Sequence, residues 1–253
     1  MPLNRALSLL PAPIARRART FQRAVLPDRV VSARTRIAKR YLSGEGIEIG
    51  ALHNPLPLPR SARIRYVDRL PVSELRAHYP ELEQEPLVRV DILDDGEWLA
   101  TIPDSSLDFV VANHFLEHTQ DPVRTLLNAF RVLRAGGVLY VALPDKRYTF
   151  DIDRPVTSFD HLLRDFEEGP RVSRRDHFEE WARLVEKVPE DQVPSRSEQL
   201  MEQDYSIHYH VWTQREALEL LTDARRFLNL DFDIELMERI DHEVVFVLRK
   251  GTG

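Results

Sequence analysis

The 253 residues read as an α/β protein, an open and mostly parallel sheet with helices on both faces. Three observations carry that reading. Leu107-Asp108-Phe109-Val110-Val111-Ala112 is an apolar run of strand length, and it leads directly into the polar-rich stretch Asn113 to His118. Asp121-Pro122 then opens a helical pattern with Leu126, Leu127, Phe130 and Leu133 on one face, which Gly136-Gly137 is expected to stop. Val138 to Leu143 follows as a second apolar strand. Strand, helix and strand in this order make a parallel unit, and ligands of such sheets bind beyond the carboxyl ends of the strands.

The stretch Asp108-Phe-Val-Val-Ala-Asn-His-Phe-Leu-Glu117-His118-Thr-Gln-Asp121-Pro122, with Leu133-Arg-Ala-Gly-Gly137-Val-Leu-Tyr-Val-Ala-Leu-Pro144 behind it, resembles the fourth- and fifth-strand motifs of the class I S-adenosylmethionine-dependent methyltransferases. It is most similar to their small-molecule group with a strand-4 Leu-Glu-His motif. The resemblance covers roughly Tyr41 to Arg249, interrupted by an insertion. It implies a Rossmann-like seven-stranded sheet with an antiparallel last strand, and S-adenosyl-L-methionine as cofactor.

Composition sets wide bounds. The chain is long enough for one α/β domain with an insertion and a core of its own. It has no cysteine, so no disulfide frame and no thiolate metal site, which fits a reducing compartment. No apolar run approaches a membrane span, so a soluble, cytoplasmic protein is expected, with no integral membrane segment and no nucleic-acid partner. Charge is uneven. Residues 1–40 hold ten Lys/Arg against Asp28, leaving 25 Lys/Arg against 40 Asp/Glu in the rest. These residues are expected to form a basic N-terminal helical extension, cut into short pieces by Pro2, Pro11, Pro13 and Pro27. Its Arg16-Arg17-Ala18-Arg19 cluster suits a solvated face, a transit peptide or contact with an anionic membrane surface.

The domain proper is placed at 41–253. Gly46-Ile-Glu-Ile-Gly50 reads as the first strand. The resembling family usually carries acid-x-Gly-x-Gly-x-Gly there. Glu48 and Gly50 match, but Leu52 and Asn54 stand at the next glycine positions, which implies a wider loop over 51–59. Leu52 and Pro55 also disfavour a dinucleotide site and with it an NAD-linked oxidoreductase. Ala62 to Val67 alternates as the second strand and ends on Asp68, a carboxylate placed to accept from ribose hydroxyls. Leu87 to Val90 reads as the third strand, ending in Asp91-Ile92, which by resemblance meet the adenine. The expected cofactor residues are therefore Glu48, Gly50, Asp68, Asp91, Ile92, Asn113 and His114.

His114-Phe-Leu-Glu117-His118 also fits the inverted zinc-protease pattern, and on a helix the three polar residues would share a face. The strand before it and the Asp-Pro helix start after it favour the methyltransferase context, so no metal is assigned. Glu117 and His118 are expected as a hydrogen-bonded pair fixing the loop beneath the cofactor.

A long insertion, 145–212, follows the fifth strand, with helical patterns over 158–167, 173–188 and 196–203, and it is expected to cap the substrate. A helix over 213–228 and strands over 232–237 and 243–248 complete the scaffold. Ser206-Ile-His208-Tyr-His210-Val-Trp212-Thr213 closes the insertion, and two histidines two apart on an extended segment point the same way. A hydroxyl acceptor must lose its proton, and a histidine has a suitable resting pKa. His210 is the expected base, with Asp145 second and His208 as orienting partner. Asp145, Arg147, Asp151, Arg154, His161 and Arg164 with Tyr205, Trp181 and Trp212 form a mix suited to a sugar. The expected activity is O-methylation of a small molecule, a carbohydrate or glycoconjugate, by in-line methyl transfer. The alternatives are a methyltransferase for a non-sugar metabolite and a catalytically silent binding protein. Composition leaves the oligomeric state open.

Overall fold

The computed structural model describes residues 28–253. The Arg16, Arg17 and Arg19 cluster and the membrane contact considered for it lie outside the described residues. Seven strands form one sheet: β1 (Gly44–Ile49), β2 (Ala62–Asp68), β3 (Ile92–Leu93), β4 (Leu107–Asn113), β5 (Leu133–Pro144), β6 (Phe232–Ile240) and β7 (Glu243–Lys250). Their order is β3-β2-β1-β4-β5-β7-β6, with β7 antiparallel to both neighbours and the other pairs parallel.

The apolar run in β4 is continuous because both faces of the strand are covered. Val110 and Ala112 face α3 (Pro122–Val132) and α7 (Gln214–Phe227), packing with Leu126, Phe130, Leu220 and Leu221. Phe109 and Val111 face α1 (Asp28–Tyr41) and pack with Val30, Ile37 and Ala38, and the short α2 (Val72–His78) follows β2. Residues 28–40, read from sequence within the basic extension, thus form most of a helix buried against the sheet.

Helix starts follow side-chain caps. Asp121 accepts from the Arg124 amide at 2.8 Å with Pro122 at the first helical position, and Thr213 and Glu216 form a reciprocal capping box. α3 ends at Val132, before the expected Gly136-Gly137 stop, and β5 begins at Leu133 with a register shift against β4 between Leu107 and Phe109. The glycines instead carry the strand through that irregularity, Gly136 at φ +76°. The third strand is also displaced. Leu87 to Val90 joins no strand, and pairing with β2 is limited to Ile92 and Leu93.

Three helices make the insertion: α4 (Phe159–Glu168), α5 (Arg174–Glu180), continued by a π turn over Trp181–Val185, and α6 (Val193–Glu202). Phe178, Trp181, Val185, Leu200, Ile207 and Tyr209 form a small core of their own. Arg154, fully buried, joins it to the site: Nη1 donates to Asp151 and to the His208 carbonyl, Nη2 to the Tyr209 carbonyl and Nε to Glu180, all within 3.1 Å.

One buried ion pair ties α1 to β7. Arg34 Nε donates to Glu243 Oε1 at 2.8 Å and Nη2 donates to Oε2, both side chains being buried. Removing one partner of such a pair strands a charge away from water. Arg34→Ala should lower stability by about 3–5 kcal/mol, read as a lower urea midpoint with an unchanged slope; a loss of a few tenths would show that α1 is dispensable.

Candidate active site

A cavity of about 670 Å³ opens at the carboxyl ends of β1, β2 and β4, within the range of small-ligand sites. The sheet lines one side and the insertion, from Tyr148 to Tyr209, lines the other.

At the end of β1 the chain turns through left-handed backbone at Gly50 (φ +63°) and again at Leu52 (φ +48°). The second glycine position of the family motif thus keeps a glycine-like conformation while bearing leucine, at a cost of about 1–2 kcal/mol. Glu48 secures the loop: its carboxylate accepts from the Leu56 amide at 3.0 and 3.1 Å and from Asn113 Nδ2 at 3.1 Å. Burial pushes the Glu48 carboxyl up to about 7, against the lowering effect of these bonds and of Arg34. Asn113 Oδ1 is buried at the cavity with no hydrogen-bond partner.

Asp68 ends β2 in the cavity wall, and burial raises its carboxyl. Asp95, Gly96 and Glu97 complete this side. A side chain at Gly96 would come within 2.4 Å of Ile49 Cγ2 and 2.5 Å of Phe115 Cζ, so only glycine lets that turn approach β1. Glu97 accepts from the Gln120 and Asp121 amides at 2.9 and 3.2 Å, and burial pushes it up to about 7.

Glu48, Gly50, Asp68, Asn113 and His114 therefore meet in one wall. Asp91 and Ile92 do not line this cavity. The Asp91 amide donates to the Tyr66 carbonyl and its carboxylate accepts from the Tyr66 amide at 3.1 Å, so this residue closes the sheet edge. Asp95 to Glu97, which follow the third strand, line the cavity where Asp91 and Ile92 do not. The turn signal Asp94-Asp95-Gly96, directly after the true strand, was the mark that sequence reading passed over.

The motif after β4 forms a short 3-10 turn, Leu116–His118, with His114 in left-handed backbone at φ +49°. His114 Nε2 lies 2.7 Å from Glu243 Oε2, and Nδ1 lies 3.5 Å from Glu117 Oε1. Burial would raise Glu243, but its bonds to His114 and Arg34 outweigh that and hold it at about 2. Glu117 and His118 do not pair with each other as expected. The Glu117 carbonyl accepts from the Tyr209 amide at 2.7 Å, while His118 Nδ1 lies 2.9 Å from the Ile207 carbonyl. Burial takes His118 down to about 3, and burial raises the Glu117 carboxyl. Both residues grip the end of the insertion.

His208 lines the cavity, with Nδ1 2.7 Å from Asp151 Oδ2. Burial would raise Asp151, but the charge and bond of His208, with Arg154 behind, hold it below the usual carboxylate range. His210 does not line the cavity. It is fully buried against Trp212, Nε2 is 3.4 Å from the Gln120 carbonyl, and burial followed by His177 and His161 depresses its pKa strongly. Asp145 is likewise off the wall. It takes Arg147 at 2.9 and 2.6 Å and the Gln214 amide at 3.2 Å, and the Arg147 bonds outweigh burial to hold it ionised. Of the three residues expected to act on the acceptor, His208 alone lines the cavity, and His210 and Asp145 do not.

Residues 46–141 match the family model described as a methyltransferase domain. A probable S-adenosylmethionine-dependent methyltransferase of Mycolicibacterium smegmatis is 37% identical over 94 residues, 36% of this chain and 33% of that protein. One from Mycobacterium tuberculosis is 33% identical over 94 residues, 36% of this chain and 31% of its own length. The matched region therefore spans about a third of these curated relatives. A Rhodobacter sphaeroides structure named for zinc-dependent alcohol dehydrogenases aligns over 88% of this chain and 89% of its own at 15% identity, TM-score 0.50, a likeness of fold alone. Over residues 46–141 the chain is thus similar to S-adenosylmethionine-dependent methyltransferases.

The Glu48 shift has a measurable consequence. Its folded pKa lies above the ordinary 4.5, so its contribution to stability is full below pH 4.5 and is lost as pH rises through about 7. The stability difference between wild type and Glu48→Gln should therefore drift by up to ~3 kcal/mol across that window in ligand-free protein. A pH-independent difference would mean that Glu48 is ionised throughout.

Proposed function

We propose that the protein transfers the methyl group of S-adenosylmethionine to a hydroxyl of a small polyhydroxylated acceptor, a carbohydrate or glycoconjugate. The observation that carries this is the division of the cavity: strand-end acids and amides on one side, and an aromatic, hydrogen-bonding wall with a histidine–aspartate pair on the other. The residues fit the cofactor. Glu48 and the unpaired Asn113 Oδ1 suit its ammonium group, Asp68 its ribose hydroxyls and the Asp95 to Glu97 turn its adenine. The bound cofactor supplies an activated sulfonium methyl.

The chain must hold the acceptor in line and take its proton. Positioning alone can contribute roughly 7–11 kcal/mol. Tyr148, Phe150, Trp181 and Tyr205 offer ring faces for the apolar sides of a sugar, and Arg69 and Asp204, paired at 2.5 Å, also line the cavity. With Nδ1 directed at Asp151, His208 has Nε2 as its basic nitrogen, and a positioned base adds roughly 10² to 10⁴ in rate.

S-adenosylhomocysteine at a hundredfold excess over its Kd should stabilise the protein by about 2.7 kcal/mol, and Asp68→Ala should weaken binding at least about tenfold. A thermal melt unmoved by millimolar S-adenosylhomocysteine would remove the methyltransferase reading.

His208→Ala should lower turnover about a hundredfold or more with cofactor-product affinity nearly unchanged, and Asp151→Asn should lower it less. Screening methyl acceptors by product formation tests the substrate class. Turnover of His208→Ala equal to wild type on the acceptor found would leave positioning as the whole of catalysis.

A further inference from the structure

Outside the cavity, α4, α5 and the extended segment 207–212 bring four side chains to one point. His161 and Asp165 stand one turn apart on α4, His177 comes from α5 and His210 from the segment. One donor atom from each lies within 4.8 Å of the others. His161 Nε2 is 3.1 Å from His177 Nε2 and 3.1 Å from Asp165 Oδ2, and Asp165 Oδ2 is 3.9 Å from His177 Nε2. Four donors around a zinc ion at ~2.0–2.1 Å are separated by roughly 3.3 Å, and the observed spacings straddle that value.

The cluster is poorly satisfied as protein alone. Asp165 is fully buried, yet Oδ2 makes no hydrogen bond of sound geometry, and His210 Nδ1 is buried without a partner. Two imidazole nitrogens facing each other at 3.1 Å need a proton or a cation between them. The surrounding groups are arranged as an outer shell. Ser173 Oγ donates to Asp165 Oδ1 at 2.6 Å, which directs Oδ2 to the centre, and His210 Nε2 faces the Gln120 carbonyl, which leaves Nδ1 as its ligand atom.

The other two His-carboxylate groupings among the described residues are spoken for: in one Glu243 already holds Arg34, and in the other His118 is engaged by the Ile207 carbonyl.

We infer that His161, Asp165, His177 and His210 bind one divalent transition-metal ion of the zinc class in a closed, structural site. Three imidazoles and a carboxylate are borderline nitrogen and oxygen ligands suited to zinc, and four protein ligands leave no open position for chemistry. The ion joins α4 and α5 to the segment that carries His208 and Tyr209 into the cavity wall, so it sets the wall without touching the acceptor. This departs from the sequence reading, which assigned no metal, and it does not depend on the proposed activity.

The test is the metal content of the full chain, tag-free and prepared without chelator from zinc-supplemented cells. About one zinc ion per chain is expected, with Asp165→Asn and His177→Gln falling near zero and the control His78→Gln, at a half-buried histidine outside the cluster, keeping it. EDTA should lower the Tm of wild type and Zn2+, not Mg2+, should restore it. Where a variant does not fold, wild type reloaded with Co2+ should show the intense visible absorption of a four-coordinate ion. Metal-free protein whose Tm ignores both EDTA and Zn2+, or His177→Gln retaining its zinc, overturns the assignment.

Discussion

Glu243, buried at the start of β7, must have its charge and its oxygens satisfied inside the protein, and its two partners organise the sheet edge around it. Arg34 reaches it from α1 and His114 from the turn after β4. The desolvation of these groups is large, so they tolerate only arrangements in which both bonds are made. That constraint explains why His114 is held at φ +49°, a backbone state a non-glycine residue adopts at some cost. With His114 directed toward β7, Asn113 ends β4 beside β1 and bonds Glu48, which holds the Leu56 amide and so the whole loop after β1. One charge cluster thus shapes the cavity floor from three distant parts of the chain.

The strand-4 motif was legible because burial on both faces leaves a distinctive apolar run, and because Asp121-Pro122 is a local cap whose chemistry does not wait on tertiary contacts. The seven strands and the inserted helices followed from that anchor. What sequence could not show depended on partners far away. Arg34 looks like one more charge on a basic extension until Glu243, 209 residues on, is placed beside it. Leu87 to Val90 is apolar enough for a strand, but the Val88 amide goes to the Leu52 carbonyl, and pairing with β2 is confined to Ile92 and Leu93. His208 and His210 were assigned a common face by the two-residue period of a strand. The segment makes only an isolated bridge between Asp145 and Trp212, and without a ladder that period does not hold.

The insertion divides: α4 and Trp212 pack onto the core on the sheet through Phe159, Leu162 and Phe166, while α5 and α6 build a second, smaller apolar body. Its core of Phe178, Trp181, Leu200 and their neighbours is separate from the two layers on the sheet, and Arg154 and Asp151 carry the connection to the segment that walls the cavity. A small core fixed by charges opens more readily than the sheet beneath it. Mobility on the insertion side of the cavity is therefore separable from rigidity on the sheet side, which under the proposed activity lets one ligand enter while another is kept in place.

The acids in and behind the cavity wall divide by the partners that the protein supplies. Burial would raise all of them, but Glu243 with Arg34 and His114, Asp151 with His208 and Arg154, and Asp204 with Arg69 are held down by internal partners. Glu48, Asp68 and Glu97 have mainly amides for partners, and burial prevails, raising each. Those three end or follow β1, β2 and β3, and all face one side of the cavity. Acids left short of positive charge stabilise a cation that enters among them, because its charge lowers their pKa and turns a desolvation cost into an attraction. A ligand bearing an ammonium and a sulfonium together with ribose hydroxyls supplies both the charge and the donors that this wall lacks.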